Sequence, residues 1–182
     1  MIESLVLAAL VLAQAGSAAL QARETAYARM PLADKIAGDR DLLKAIVAKN
    51  LAVESPAEIR RIDQQWMHNP RYALRKELTS GPCANRLRKL VADDKLVVEA
   101  FLMDERGGLV CSTVETSDYW QGDEAKWQKT YRDGAQAFID EPAMDASTGA
   151  FAVQLSRLVS DAQGAKAGAL TLTLKIPRSS LR

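Results

Sequence analysis

The sequence predicts an α+β domain. Two observations carry that expectation. Apolar residues recur at helical spacing across residues 30–93, whereas β-rich runs and period-two alternation occupy residues 96–176. Helices first and strands after is the α+β order rather than the alternating α/β one. The 182 residues, 48% hydrophobic and 26% charged, suit one domain with a substantial core.

The elements follow in order. Leu32, Ile36, Leu43, Ile46, Val47 and Leu51 share helical spacing, with a restart at Gly38-Asp39. Ser55-Pro56-Ala57-Glu58 is a helix start: Ser55 can cap, Pro56 suits the first helical position, and Glu58 can close a capping box. Ile59, Ile62 and Trp66 then lie on one face, and Asn69-Pro70 ends the helix. Arg71 to Leu78 adds a turn or two before Ser80-Gly81-Pro82, and Cys83, Leu87, Leu90 and Val91 define a further short helix. Val97–Met103 and Leu109–Val114 flank the turn Asp104-Glu105-Arg106-Gly107-Gly108 and predict a hairpin. Phe151, Val153 and Leu155 alternate with polar or small residues. Leu170, Leu172, Leu174 and Ile176 alternate with Thr171, Thr173 and Lys175, which predicts a strand with one face buried. A fifth short strand is expected around Ala135 to Ile139.

Composition excludes several functions. Lys+Arg 24 against Asp+Glu 23 gives no global field for nucleic acid. Two Cys and one His do not supply a disulfide scaffold, a four-cysteine zinc module or a His-rich metal site. No cofactor loop and no Ser/His/Asp set is evident, so the expectation is not an enzyme, with neither cofactor nor metal.

Residues 1–22 read as a leader. Leu5 to Ala13 is an unbroken apolar stretch, small residues follow from Ala15 to Ala19, and charge returns at Arg23 and Glu24. Cleavage after Ala19 or Ala22 fits the pattern, although Glu3 replaces the usual basic start. An uncleaved anchor and a buried helix are the rival readings. The domain proper is 23–182.

Residues 116–131 concentrate Tyr119, Trp120, Trp127 and Tyr131 with Asp118, Asp123, Glu124 and two Lys. Aromatic walls with a few polar groups suit a small-molecule pocket. The other reading is that the aromatics seal the core beneath a crossing loop and the charges are solvated.

Several segments, in order, resemble the Cache (PDC-type, PAS-like) extracytoplasmic sensor domains. They are Ala45-Ile46-Val47-Ala48-Lys49-Asn50, Phe101 to Gly108, Ser117 to Glu124, Glu141-Pro142-Ala143-Met144-Asp145-Ala146-Ser147-Thr148-Gly149, and Gly168-Ala169-Leu170. The resemblance implies N-terminal helices packed on a five-stranded antiparallel sheet, with a ligand pocket between the sheet and the loops after the second strand. It also implies a periplasmic or secreted, non-catalytic binding module for a small metabolite, working with a separate membrane receptor or kinase partner. On this resemblance Trp127 matches the pocket aromatic and Asp145 the acid that contacts a ligand amine. Ala143, Ala125, Gln128 and Thr173 depart from the pattern of amino-acid binders, which favours an amine or another small polar ligand. Tyr119, Trp120, Asp123, Glu124 and Tyr131 are the further candidates, with packing or capping as their alternative roles. A structural or protein-interaction module of the same fold, without a working pocket, is the alternative function.

Cys83 opens the last helix and Cys111 the returning strand, which brings both towards one end of the sheet. An oxidising compartment would join them; two buried thiols is the other reading. His68 reads as a surface or capping residue. Arg71, Arg75, Lys76, Arg86, Arg88 and Lys89 read as a solvated basic face, with docking to an acidic partner as the sharper option.

Overall fold

The computed structural model describes residues 16–52, 54–144 and 151–176. A helix covers residues 16–27 (α1), so both cleavage points, Ala19 and Ala22, fall within it. Then come α2 (Met30–Ala37), α3 (Arg40–Leu51), α4 (Pro56–His68), α5 (Ala73–Ser80) and α6 (Pro82–Val91). The strands are β1 (Val97–Met103), β2 (Leu109–Ser112), β3 (Ala137–Ile139), β4 (Ala143–Met144), β5 (Phe151–Ser160) and β6 (Lys166–Lys175). Between β2 and β3 a short α7 (Ala125–Trp127) continues as a π-helical turn over Gln128–Arg132.

Local chemistry sets the helix boundaries. Asp39 caps α3, its Oδ1 accepting from the N–H groups of Asp41 and Leu42. Ser55 Oγ accepts from the Glu58 N–H and starts α4, with Pro56 at the first helical position. Glu58 turns its carboxylate to Arg61 rather than completing the box. His68 ends α4 on the surface.

All strand pairings are antiparallel, in the order β2-β1-β6-β5-β3, with β4 also on β5. The six strands replace the expected five because β3 and β4 share one edge of β5, pairing with Leu155–Arg157 and with Phe151–Ala152 in turn.

The sheet is covered on both faces. Ala100, Leu102, Leu170, Leu172 and Leu174 pack against Ala22 and Ala26 of α1, Ile36 of α2, Leu42 and Ile46 of α3, and Leu87 of α6. On the other face Phe101, Met103 and Ala169 pack with Ile59, Ile62 and Trp66 of α4 and with Tyr119. The expectation of a β6 with one solvated face is therefore corrected: Thr171 and Thr173 are fully buried. The segment after β2 folds back over that face and removes it from water.

The basic residues near α5 and α6 are not one solvated face. Arg86 holds Asp39 through Nε and Nη2 at 3.0 and 2.6 Å, and Arg88 donates to the Thr113 carbonyl from the same two nitrogens at 3.1 and 2.8 Å. Arg75 pairs with Glu115 at 3.0 Å.

Cys83 and Cys111 are joined by a disulfide that ties α6 to β2. The bridge closes a loop with a sequence separation of 28. Replacing both cysteines with alanine is expected to lower stability by about 2–4 kcal/mol through greater unfolded-state freedom. A urea titration checks this: the wild type in reductant should fall to the variant's midpoint, and a variant as stable as the oxidised wild type would refute it.

Gly168 fits β6 against β1 because a Cβ there would lie 2.2 Å from the Met103 carbonyl oxygen and 3.0 Å from Ile46 Cγ2. Backbone on one side and a packed helix on the other cannot yield cheaply. Gly168→Ala is expected to cost about 1–3 kcal/mol, the scale of an overpacked core, read as a lower urea midpoint with an unchanged slope.

Candidate functional site

The polar residues of the sheet lie in two rows. Strand register aligns Glu99, Thr173 and Gln154 in one, and Phe101, Thr171 and Ser156 in the next. Thr173 Oγ1 donates to Glu99 Oε2 at 2.8 Å and receives Gln154 Nε2 at 3.4 Å. Ser156 and Thr171 share a hydrogen bond of 2.9 Å. Buried hydroxyls and a buried carboxylate on central strands are costly unless partnered, and here they partner one another across three strands.

Above these rows the loop after β2 borders a half-open cavity of about 500 Å³. Glu99, Phe101 and Gln154 form part of its floor, and Arg75, Gln121 and Lys126 part of its wall. Lys126 is almost fully buried; its Nζ stands 5.2 Å from the Phe101 ring centre and pairs with Glu124 at 2.8 Å. The cation rests on the aromatic face while its counter-ion stays partly wet. Gln121 is 1% exposed, and its amide N–H groups are taken by Asp118. Gln121 Oε1 and Arg75 Nε are buried without a protein partner. Both belong to residues that line this cavity.

The loop is positioned by groups beneath it. Asp63 of α4 accepts from the N–H groups of Tyr119 and Trp120, both at 2.9 Å, through a single carboxylate oxygen. Trp66 Nε1 donates to the Thr116 carbonyl at 2.9 Å. Asp104 closes the β1–β2 turn by accepting from the Arg106 and Gly108 N–H groups at 2.8 Å, with Gly107 at φ 80. Burial, and secondarily the Glu124 charge, raise the Asp118 carboxyl above its usual range.

The candidates named from sequence separate. Glu124 lines the cavity. Tyr119 is fully buried against Trp66, its hydroxyl donating to Glu54 at 3.0 Å, and burial holds that phenol protonated. Trp120 donates to the Arg106 carbonyl at 2.8 Å and lines a different cavity. Trp127 donates to the Asp104 carbonyl at 3.0 Å and stacks on Tyr131, whose other neighbour is the Lys166 ammonium. Asp123 is exposed and offers its carbonyl to Gln128. Asp145 lies outside the described residues. Among the described residues no group of His, Cys, Asp and Glu could hold a metal ion, and no helix is long and apolar enough to cross a membrane.

Sequence reasoning missed Glu99, Gln121, Lys126, Gln154 and Thr173. The available signal was Glu99 inside an apolar strand and the two threonines of β6, residue types that are buried only when paired.

No protein-family profile and no curated protein matches the sequence significantly. Solved structures do. The sensor domain of the V. cholerae histidine kinase DctB superposes with a TM-score of 0.50 at 14% identity, over 98% of this chain and 59% of that one. The ligand-binding domain of the Pseudomonas aeruginosa chemoreceptor PctC, in complex with GABA, gives 0.43 at 15% identity over 96% and 62%. That of the Campylobacter jejuni chemoreceptor Tlp3, in complex with L-valine, gives 0.39 at 10% identity over 87% and 63%. The chain spans about three fifths of the length of these structures. Its fold is that of the Cache, PDC-type sensor domains.

One consequence concerns pH. Burial, the largest cause, raises the Asp104 carboxyl above its ordinary 3.8, against the two N–H donors that favour its charge. A raised acid binds its proton more tightly folded than unfolded. Its contribution is therefore most favourable below the unfolded pKa and declines as pH rises from there through the folded pKa. Asp104→Asn keeps an acceptor for both N–H groups and removes the ionisation. The variant should lose less stability than the wild type between about pH 3.8 and neutrality; parallel urea midpoints across that range would show identical slopes if the assignment is wrong.

Proposed function

We propose that this protein is a periplasmic or secreted sensor module that binds a small polar metabolite above the Glu99–Thr173–Gln154 row. The observation that carries the reading is the cavity of about 500 Å³ in which buried polar side chains converge and Gln121 Oε1 is left without a protein partner. Native structures seldom leave a buried acceptor unmade, and its desolvation costs about 1–3 kcal/mol. A ligand N–H or O–H would recover that cost.

The lining also suggests a ligand charge. Glu99, Glu115 and Glu124 stand against Arg75 and Lys126, a formal balance of one negative charge. Arg75 and Lys126 each already face a carboxylate, so the lining carries no unpaired cation for a ligand carboxylate. An amine or a neutral polyol-like donor fits better, in line with the ligand class expected from the sequence. Paired charges and shared hydroxyls are suited to holding a molecule rather than to moving protons, which supports a binding module rather than an enzyme. The shared fold with the DctB sensor domain supports a signalling role through a separate receptor or kinase partner. The disulfide and the leader-like residues 1–22 support a compartment outside the cytoplasm.

The test is a thermal-shift screen of the purified protein against amines, polyamines, amino acids, polyols and carboxylates. At 100 times its dissociation constant a ligand should add about 2.7 kcal/mol of stability. Gln121→Met should weaken the hit about tenfold, the scale of one buried hydrogen bond, without loss of the fold. Silence across the library, with the wild type folded, would favour the alternative of a protein-interaction module and direct the next experiment to partner capture.

A further inference from the structure

A second cavity, of about 360 Å³, lies beside the start of α4 and is lined by Trp120, whereas the first is lined by the adjacent Gln121. Pro56, Ile59 and the Trp120 indole wall it, and Glu54, Arg60 and Arg106 stand around it. The Trp120 N–H is already given to the Arg106 carbonyl, so the indole offers the cavity only its apolar surface. Two of the three charges are likewise committed. Glu54 is paired with Lys49 and receives the Tyr119 hydroxyl. Arg106 is paired with Glu105 at 2.8 Å. The Arg60 side chain is exposed and makes no hydrogen bond or ion pair among the described residues.

We propose that this cavity is a second binding site, separate from the first, for a small anion with an apolar body: a carboxylate carried on an aromatic or branched aliphatic group. The volume lies in the range of small-ligand pockets, and the lining has their character of apolar walls with few polar groups. The indole and Ile59 would cover the apolar body. Counting Lys49, Glu54, Glu105, Arg106 and Arg60 together leaves one positive charge, and it is the unpaired one at the rim. A carboxylate held there stays partly hydrated, so it avoids the desolvation cost of a buried charge. This inference does not depend on a ligand in the first cavity.

The experiment is an amide and indole N–H NMR titration of the full chain with sodium phenylacetate. Phenylacetamide serves as the uncharged probe and phenethylamine as the cationic one. Saturable shifts are expected at the Trp120 indole N–H and the Ile59 and Arg60 amides, with the acid tighter than the amide and the amine weakest. Arg60→Glu, a surface change that leaves the fold intact, should weaken phenylacetate about fivefold, the scale of a partly exposed ion pair, and leave phenylacetamide unchanged. Gln121→Met should alter neither, which separates this site from the first. The proposal is overturned by the absence of saturable shifts, by equal affinity for acid and amide, by indifference to Arg60→Glu, or by shifts that centre on Gln121 and Lys126.

Discussion

β6 is buried on both sides, and the two sides obey different chemistry. Leu170, Leu172 and Leu174 face the helices and contribute ordinary apolar burial. Thr171 and Thr173 face the opposite way, equally removed from water, where each hydroxyl needs a partner. Glu99, Gln154 and Ser156 on the two neighbouring strands meet that need only because the register sets them opposite β6. The positions of the cavity and of its cover both follow from this single constraint.

The cover is held by groups on the helix beneath it as well as by its own hydrogen bonds. One carboxylate oxygen of Asp63 takes two successive loop N–H groups, and the Trp66 indole takes a carbonyl a few residues earlier. Both donors and acceptors sit on α4, so that helix does for the loop what the strand ladder does for the sheet. Asp104 performs the same service for the hairpin turn, and its own carbonyl anchors Trp127.

Much of the fold was legible in the sequence because the signals were local. Ser55 with Pro56 starts α4, Gly38-Asp39 separates α2 from α3, and Asp104 to Gly108 makes the hairpin turn. The candidate site was less legible, because its residues are brought together by register and not by proximity in sequence. Thr171 and Thr173 alternate as a solvated face would, and only the returning loop makes them interior. Lys126 reads as a surface charge; the Phe101 ring beneath it lies on β1, far away in sequence. The aromatics drew attention to the segment beside the cavity, yet Tyr119 and Trp127 are spent on anchoring: one reaches Glu54 and the other the Asp104 carbonyl. Side-chain type alone does not separate an anchor from a pocket wall. The Trp127 N–H finds a protein partner and Gln121 Oε1 does not, a difference that only the folded arrangement reveals.

The place of β6 also has a consequence for the order of assembly. Its residues come last among the described strands, yet it occupies the middle of the sheet, between β1 and β5. During synthesis the β1–β2 hairpin and β5 have no common partner until the chain through Lys175 has emerged. Until then each presents an open edge, the surface on which strands of different molecules pair. A polypeptide interrupted within β6 would lose the centre of the sheet rather than its margin, leaving β1 and β5 without their shared partner. The cavity draws its floor from β1 and β5, on either side of that seam, so it is incomplete until β6 joins them.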